Sequence, residues 1–265
     1  MRYKTPAENW VPRESAPAFD RNRYSAVLLA RAVASWQRFC QDERESVIAA
    51  TTATTDLARL GAPPAILGMA ARVIEDEIRH VEVCTRVLDC LGADTTVTPP
   101  AGMRLTPAGD GDEDTESRVA RALIARFAVG ESLSAACFAT ARATAREPLI
   151  AWAYTELLRD EARHGAFGAR AGEWVIRHWS ARQRQTLWAD CLREMQTFEQ
   201  RVGGPVTDVP RVSIHRDTAA AALGLLSPQA SCSAVMASIP RWVLPHLARL
   251  GVVPPAANST TALLQ

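Results

Sequence analysis

A five-residue pattern occurs twice in this chain, and few folds can accommodate it. Asp76-Glu77-Ile78-Arg79-His80 and Asp160-Glu161-Ala162-Arg163-His164 share the form D-E-x-R-H. Each copy lies in a proline-free stretch with helical patterning. Residues i and i+3 share one helix face, so the Glu and His of each copy point the same way. One such copy would read as a solvated face laced with ion pairs. Two copies on two helices read as paired ligand sets. A borderline-hard ion such as iron takes mixed carboxylate and imidazole ligation, and two adjacent ions need carboxylates to balance their charge.

Proline and glycine divide the rest of the chain. Residues 1–22 carry Pro6, Pro12 and Pro17 and read as an N-terminal arm. From Arg23 to Leu60 there is neither proline nor glycine, which suits one long helix. Gly61-Ala62-Pro63-Pro64 is a stop-and-restart signal. A second helix follows over 65–91 and ends at Gly92. The polar, Pro- and Gly-rich stretch 92–116 reads as a long connection. A third helix runs over 117–146, Glu147-Pro148 breaks it, and a fourth reaches Trp179. A fifth covers 180–202, and Gly203-Gly204-Pro205 stops it. Short apolar helical pieces follow near 217–226 and 239–250. Almost no period-2 alternation occurs, so the chain reads as all-α. Two tight hairpins joined by one long link predict a ferritin-like four-helix bundle with one long crossover and extra C-terminal helices. The expected division is an arm over 1–22, a di-metal helical domain over 23–202 and a packed extension over 203–265.

A di-metal bundle of this kind takes Glu-x-x-His from two helices and one Glu from each of the other two. On the third helix Glu131 is the only acid in the apolar run Phe127-Ala128-Val129-Gly130-Glu131-Ser132-Leu133. It lies 16 residues before Glu147, and Glu161 lies 13 after Pro148. At 1.5 Å per residue these depths are roughly 24 and 20 Å. On the first helix Glu43 and Glu45 compete, about 200° apart around the axis. Glu45 fits slightly better in depth. Glu43 shares its face with Cys40, Val47, Ala50 and Thr54, and is chosen. The expected ligands are therefore Glu43, Glu77, His80, Glu131, Glu161 and His164.

These residues resemble the ferritin-like di-iron carboxylate superfamily, in particular small bacterial ferritin-like proteins with two D-E-x-R-H motifs. The likeness spans about residues 25–180. The motif is also similar to that of soluble di-iron monooxygenase hydroxylases. That resemblance implies supporting roles for Asp76 and Asp160, which would hydrogen-bond ligand histidines, and for Arg79 and Arg163, which would pair with the aspartates. It also implies an O2-activating oxidase or oxygenase that hydroxylates, N-oxygenates or desaturates a small organic molecule, in specialised metabolism. Two irons, or a manganese/iron pair, would be the cofactor and O2 the co-substrate. The chain has no flavin or nicotinamide fingerprint, so electrons would come from a ferredoxin or reductase. The competing readings are a ferroxidase and a non-catalytic metal-stabilised scaffold.

Charge excludes other classes. Thirty Lys+Arg against 29 Asp+Glu give no basic field for nucleic acid. No apolar run was expected to reach the roughly 18 residues of a membrane span. The N-terminus lacks an apolar signal core, and the six cysteines form no CxxC pair. Together these predict a cytoplasmic protein with reduced thiols, and allow a homodimer. A substrate pocket is expected beside the small residues of the first helix. Its lining would be Val47, Ala50, Thr54, Phe127, Ala135, Phe138 and Tyr154. Tyr154 reads first as a hydrogen-bonded core residue, and His178, His215 and His246 as surface or core histidines.

Overall fold

In the computed structural model, residues 16–93, 95, 114–203 and 218–255 are described. Most of the arm, the greater part of the 92–116 connection, and His215 lie outside the described residues. Four long helices carry the site: α1 (Ala26–Arg59), α2 (Pro64–Leu91), α3 (Thr115–Thr144) and α4 (Pro148–Val175). Behind them come α5 (Ala181–Gly203), α6 (Thr218–Ala222), α7 (Pro228–Ser238) and α8 (Leu244–Arg249). No strand occurs among the described residues.

Local chemistry sets the boundaries. Ser25 caps α1 by accepting from the Leu28 N–H at 3.3 Å, and Asp114 caps α3 by accepting from the Ser117 N–H at 2.9 Å. Pro64 and Pro148 open α2 and α4, where a missing N–H costs nothing. Gly61 takes φ 73° to turn the chain between α1 and α2.

Two hydrophobic cores flank a polar layer. One contains Ala50, Ala53, Leu57, Val73, Leu123, Phe127, Phe167 and Ala171. The other contains Trp36, Cys40, Val83, Val87, Phe138, Leu149, Tyr154 and Leu157. Each long helix runs from one core to the other. Along the chain, α1 and α4 cross in one direction, α2 and α3 in the opposite one. Thus α1 and α2 form an antiparallel hairpin, as do α3 and α4. The parallel α2 and α3 require the chain to return the length of the bundle between them. That is the physical reason for a long connection at 92–114.

α3 contains a π-helical stretch, Ala122–Gly130, which sequence patterning did not reveal. α4 meets it closely: a Cβ on Gly168 would lie 2.4 Å from Ala128 N and 2.5 Å from Leu123 O. α3 is also long and apolar enough to cross a membrane by length and composition, contrary to expectation. Its most apolar window is 61% buried in the bundle, which accounts for the hydropathy without a membrane.

Candidate metal centre

Between the two cores, all four long helices present acids or histidines inward. Glu43, Asp76, Glu77, His80, Glu131, Asp160, Glu161 and His164 are each 8% exposed or less. Burying so many ionisable groups costs several kcal/mol per unpaired charge, on the order of magnitude found for ions inside proteins. Packing alone gives no return on that cost, so the cluster points to function.

The geometry has an approximate twofold pattern. His80 Nδ1 lies 3.6 Å from Glu77 and 3.8 Å from Glu161. His164 Nδ1 lies 3.1 Å from Glu77 and 3.8 Å from Glu161. Glu77 and Glu161 therefore each offer one oxygen to each histidine. Glu43 belongs to the His80 side, 3.3 Å from Nδ1. Glu131 belongs to the His164 side, grouped with Glu161 and His164. Three groups, Glu77/His80/His164, Glu43/His80/Glu161 and Glu131/Glu161/His164, each bring ligand atoms within 4.8 Å of one another and could hold a metal ion. Glu45 instead accepts from Gln41 at 3.2 Å.

Behind the histidines sits a closed ion-pair ring. Arg79 donates to Asp76 at 2.5 Å and also to Asp160. Arg163 donates to Asp76 at 3.0 and 2.8 Å and also to Asp160. Each aspartate faces the histidine of the opposite motif. His80 Nε2 lies 3.7 Å from Asp160, and His164 Nε2 lies 3.5 Å from Asp76. This places Nε2 of each ring on the aspartate side and Nδ1 on the glutamate side; a metal ligated through Nδ1 would leave the ring proton on Nε2, toward the aspartate. The resemblance implied that the arginines pair with the aspartates. It could not show this exchange between helices.

Electrostatics fit the same picture. Burial pushes the Glu43 carboxyl up to about 8 against the pull of His80. Burial also raises Glu131, with Glu77 adding to it, and raises Glu161 far more, with Glu131 adding. Burial opposes charging His80 and His164. The facing carboxylates, Asp160 and Glu43 for one and Asp76 and Glu77 for the other, favour the charged imidazole, outweigh burial and raise both well above an ordinary imidazole. Glu77 goes the other way: burial would raise it, but its two histidines hold it low. Several polar atoms in the layer have no hydrogen-bond partner, among them both Glu77 oxygens, Glu161 Oε2 and His164 Nδ1. Buried acceptors without partners, grouped within 4.8 Å of one another, form a donor set that a cation would satisfy.

The cleft beside the site differs from the expected pocket. A cleft of about 720 Å³ does reach the site, with Glu161 in its wall, but it lies between α3, α4 and the C-terminal helices. Ala135 lines it; Val47, Ala50, Thr54, Phe127, Phe138 and Tyr154 do not. Ala50 is fully buried in the core, and Thr54 donates back to Ala50 O at 2.7 Å. The small residues of α1 mark close helix approach. Phe127 and Phe138 fill the two cores. Tyr154 is buried and donates to Gly224 O at 3.3 Å. His246 and Trp242, from the C-terminal segment, stand on the cleft instead.

No family model, curated protein or solved structure matches the chain.

Proposed function

We propose that this protein is an O2-activating di-iron oxidase or oxygenase of the ferritin-like bundle type, acting on a small organic substrate. The supporting observation is the charge inventory of the polar layer. The Asp76/Arg79/Asp160/Arg163 ring is neutral in itself. In the ligating state, with the glutamates ionised and both histidines neutral, Glu43, Glu77, Glu131 and Glu161 would carry four negative charges in a dry core. Two divalent cations balance that charge, which one cation does not.

Glu43 and His80 would hold one ion, and Glu131 and His164 the other. Glu77 and Glu161 would span both. When bound, iron supplies redox chemistry toward O2, and a manganese/iron pair would suit the same donors. The chain's own residues do the rest. Asp160 and Asp76 orient the imidazoles, the apolar layers on either side exclude water, and the carboxylates release their protons as ligands engage. An external ferredoxin or reductase would deliver electrons.

A ferroxidase role would use the same donors. The cleft at Glu161 favours an organic substrate, because iron entry does not need a chamber of that size. The test is O2 uptake by anaerobically Fe(II)-loaded protein, with its size measured in solution. Uptake by a small assembly supports the proposal. A cage-sized assembly that mineralises iron would replace it with ferroxidase, and absence of uptake in fully loaded protein would leave only the scaffold reading.

A further inference from the structure

The cleft beside Glu161 has a chemical character of its own. Its floor is made by small residues of α3 and α4, including Ala135, Ala139, Ala162 and Ala166. Its far wall comes from the C-terminal segment, through Trp242, His246 and Arg249. At about 720 Å³ it falls in the size range of small-molecule sites.

Two independent features show that the cleft is more than a small-residue groove. Glu161 is 3% exposed, lines the cleft, and has an Oε2 without a hydrogen-bond partner. His246 contributes a second orphan, a buried Nδ1 without a partner. The rim is basic: Arg170 from α4 and Arg249 from α8 both line it. Among the described residues, neither has a carboxylate within ion-pair distance. Two acids share the lining, but Glu161 is buried in the polar layer, which leaves Glu173 as the exposed acid beside the two arginines. Arg249 also helps hold the His246 imidazole neutral, after burial, so its ring nitrogen can accept or donate.

We infer that this cleft is the substrate chamber of the proposed oxygenase and takes a small organic acid with an apolar or aromatic body. The acid group meets Arg170 and Arg249 at the rim. The body lies on the alanine floor against Trp242, and its inner end faces the Glu161 wall. The C-terminal segment thereby selects the substrate. This inference rests on the di-metal reading for its chemistry, but its recognition can be tested without turnover.

The experiment measures binding of 1-anilinonaphthalene-8-sulfonate, a fluorescent organic anion, and of its uncharged analogue N-phenyl-1-naphthylamine. Metal content of every variant is measured alongside. The paired change Arg170→Ala with Arg249→Ala should raise the Kd of the anion about tenfold, the loss expected for charge-assisted contacts. The uncharged analogue should hardly change. Ala166→Trp and, separately, Ala139→Trp place an indole in the cleft at exposed helix positions and should abolish binding of both probes. Arg193→Ala, on an exposed arginine far along α5, should change neither. Undiminished anion binding in both tryptophan variants would overturn the chamber. Equal loss of both probes in the arginine variant would overturn the acid class. Failure of the di-metal reading would show differently, as folded wild-type protein that binds the anion in the cleft but retains no metal.

Discussion

Gly168→Ala tests how the site is held together. An added Cβ would sit 2.4 Å from Ala128 N, 2.5 Å from Leu123 O and 2.7 Å from Phe127 Cβ. Two of these are backbone atoms, so no side-chain rotation relieves them. The nearest must retreat about 1 Å to reach ordinary contact. Overpacking of this kind costs about 1–3 kcal/mol, and a clash with backbone belongs at the upper end. Ala returns about 1 kcal/mol of helix propensity over Gly. The net loss is about 2 kcal/mol, which for a chain of this size lowers Tm by about 4–8 °C. Phe127 and Ala128 lie one turn before Glu131, so the same displacement draws Glu131 away from Glu161 and His164. Calorimetry and metal analysis read the two effects. Gly68→Ala is the control: a Cβ there meets nothing within 4 Å, so only the propensity gain remains. A Gly168→Ala protein as stable and as well loaded as wild type would refute the close approach of α3 and α4.

Three further outcomes follow from the geometry. Asp160→Asn removes a charge from the ring and the carboxylate that faces His80 Nε2 at 3.7 Å; metal affinity should fall roughly 10–100-fold, by titration, while saturating metal still fills the site. Tyr154→Phe loses only the bond to Gly224 O, so stability should fall by about 1 kcal/mol with metal content unchanged; loss of metal would give Tyr154 a role at the centre. The metal-free protein should become less stable as pH rises. Glu43, Glu131 and Glu161 have raised pKa values, so folded protein keeps protons that the unfolded chain releases above about pH 4.5. His80 and His164 add stability that is full below about pH 6.5 and lost as pH passes their raised values. Each proton so held tilts stability by about 1.4 kcal/mol per pH unit, so Tm should fall between pH 5 and 8. Metal-loaded protein should reverse the trend, because ligands bind deprotonated. A flat profile in metal-free protein would contradict these protonation states.

What the sequence made legible was local. The i,i+3 spacing of Glu77 with His80 and of Glu161 with His164 needs only a helix. Pro64, Pro148 and Gly61 mark their boundaries without help from distant residues. Glu43 was separated from Glu45 by the face it shares with Cys40 and Ala50, both of which are buried. The rest depends on how helices meet. The exchange of partners between Asp76 and Arg163 and between Asp160 and Arg79 has no trace in spacing. The π-helical stretch lies in an apolar run that reads equally well as ordinary helix. Ala50, Thr54 and their neighbours fit a cavity or a close contact equally well in one dimension, and the packing chose contact. The cleft's far wall was not legible because Trp242, His246 and Arg249 come from the C-terminal segment, and their nearness to Glu161 is set by tertiary packing alone.

The most direct test of the proposed di-metal centre is its stoichiometry. Protein loaded anaerobically with Fe(II), freed of excess metal and checked for native helicity, should retain about two irons per chain, as two-metal sites do. Glu45→Ala should keep them, and Glu43→Ala should lose metal. Folded wild-type protein retaining almost no iron would contradict the centre. Metal loss in Glu45→Ala but not in Glu43→Ala would contradict the contribution assigned to α1.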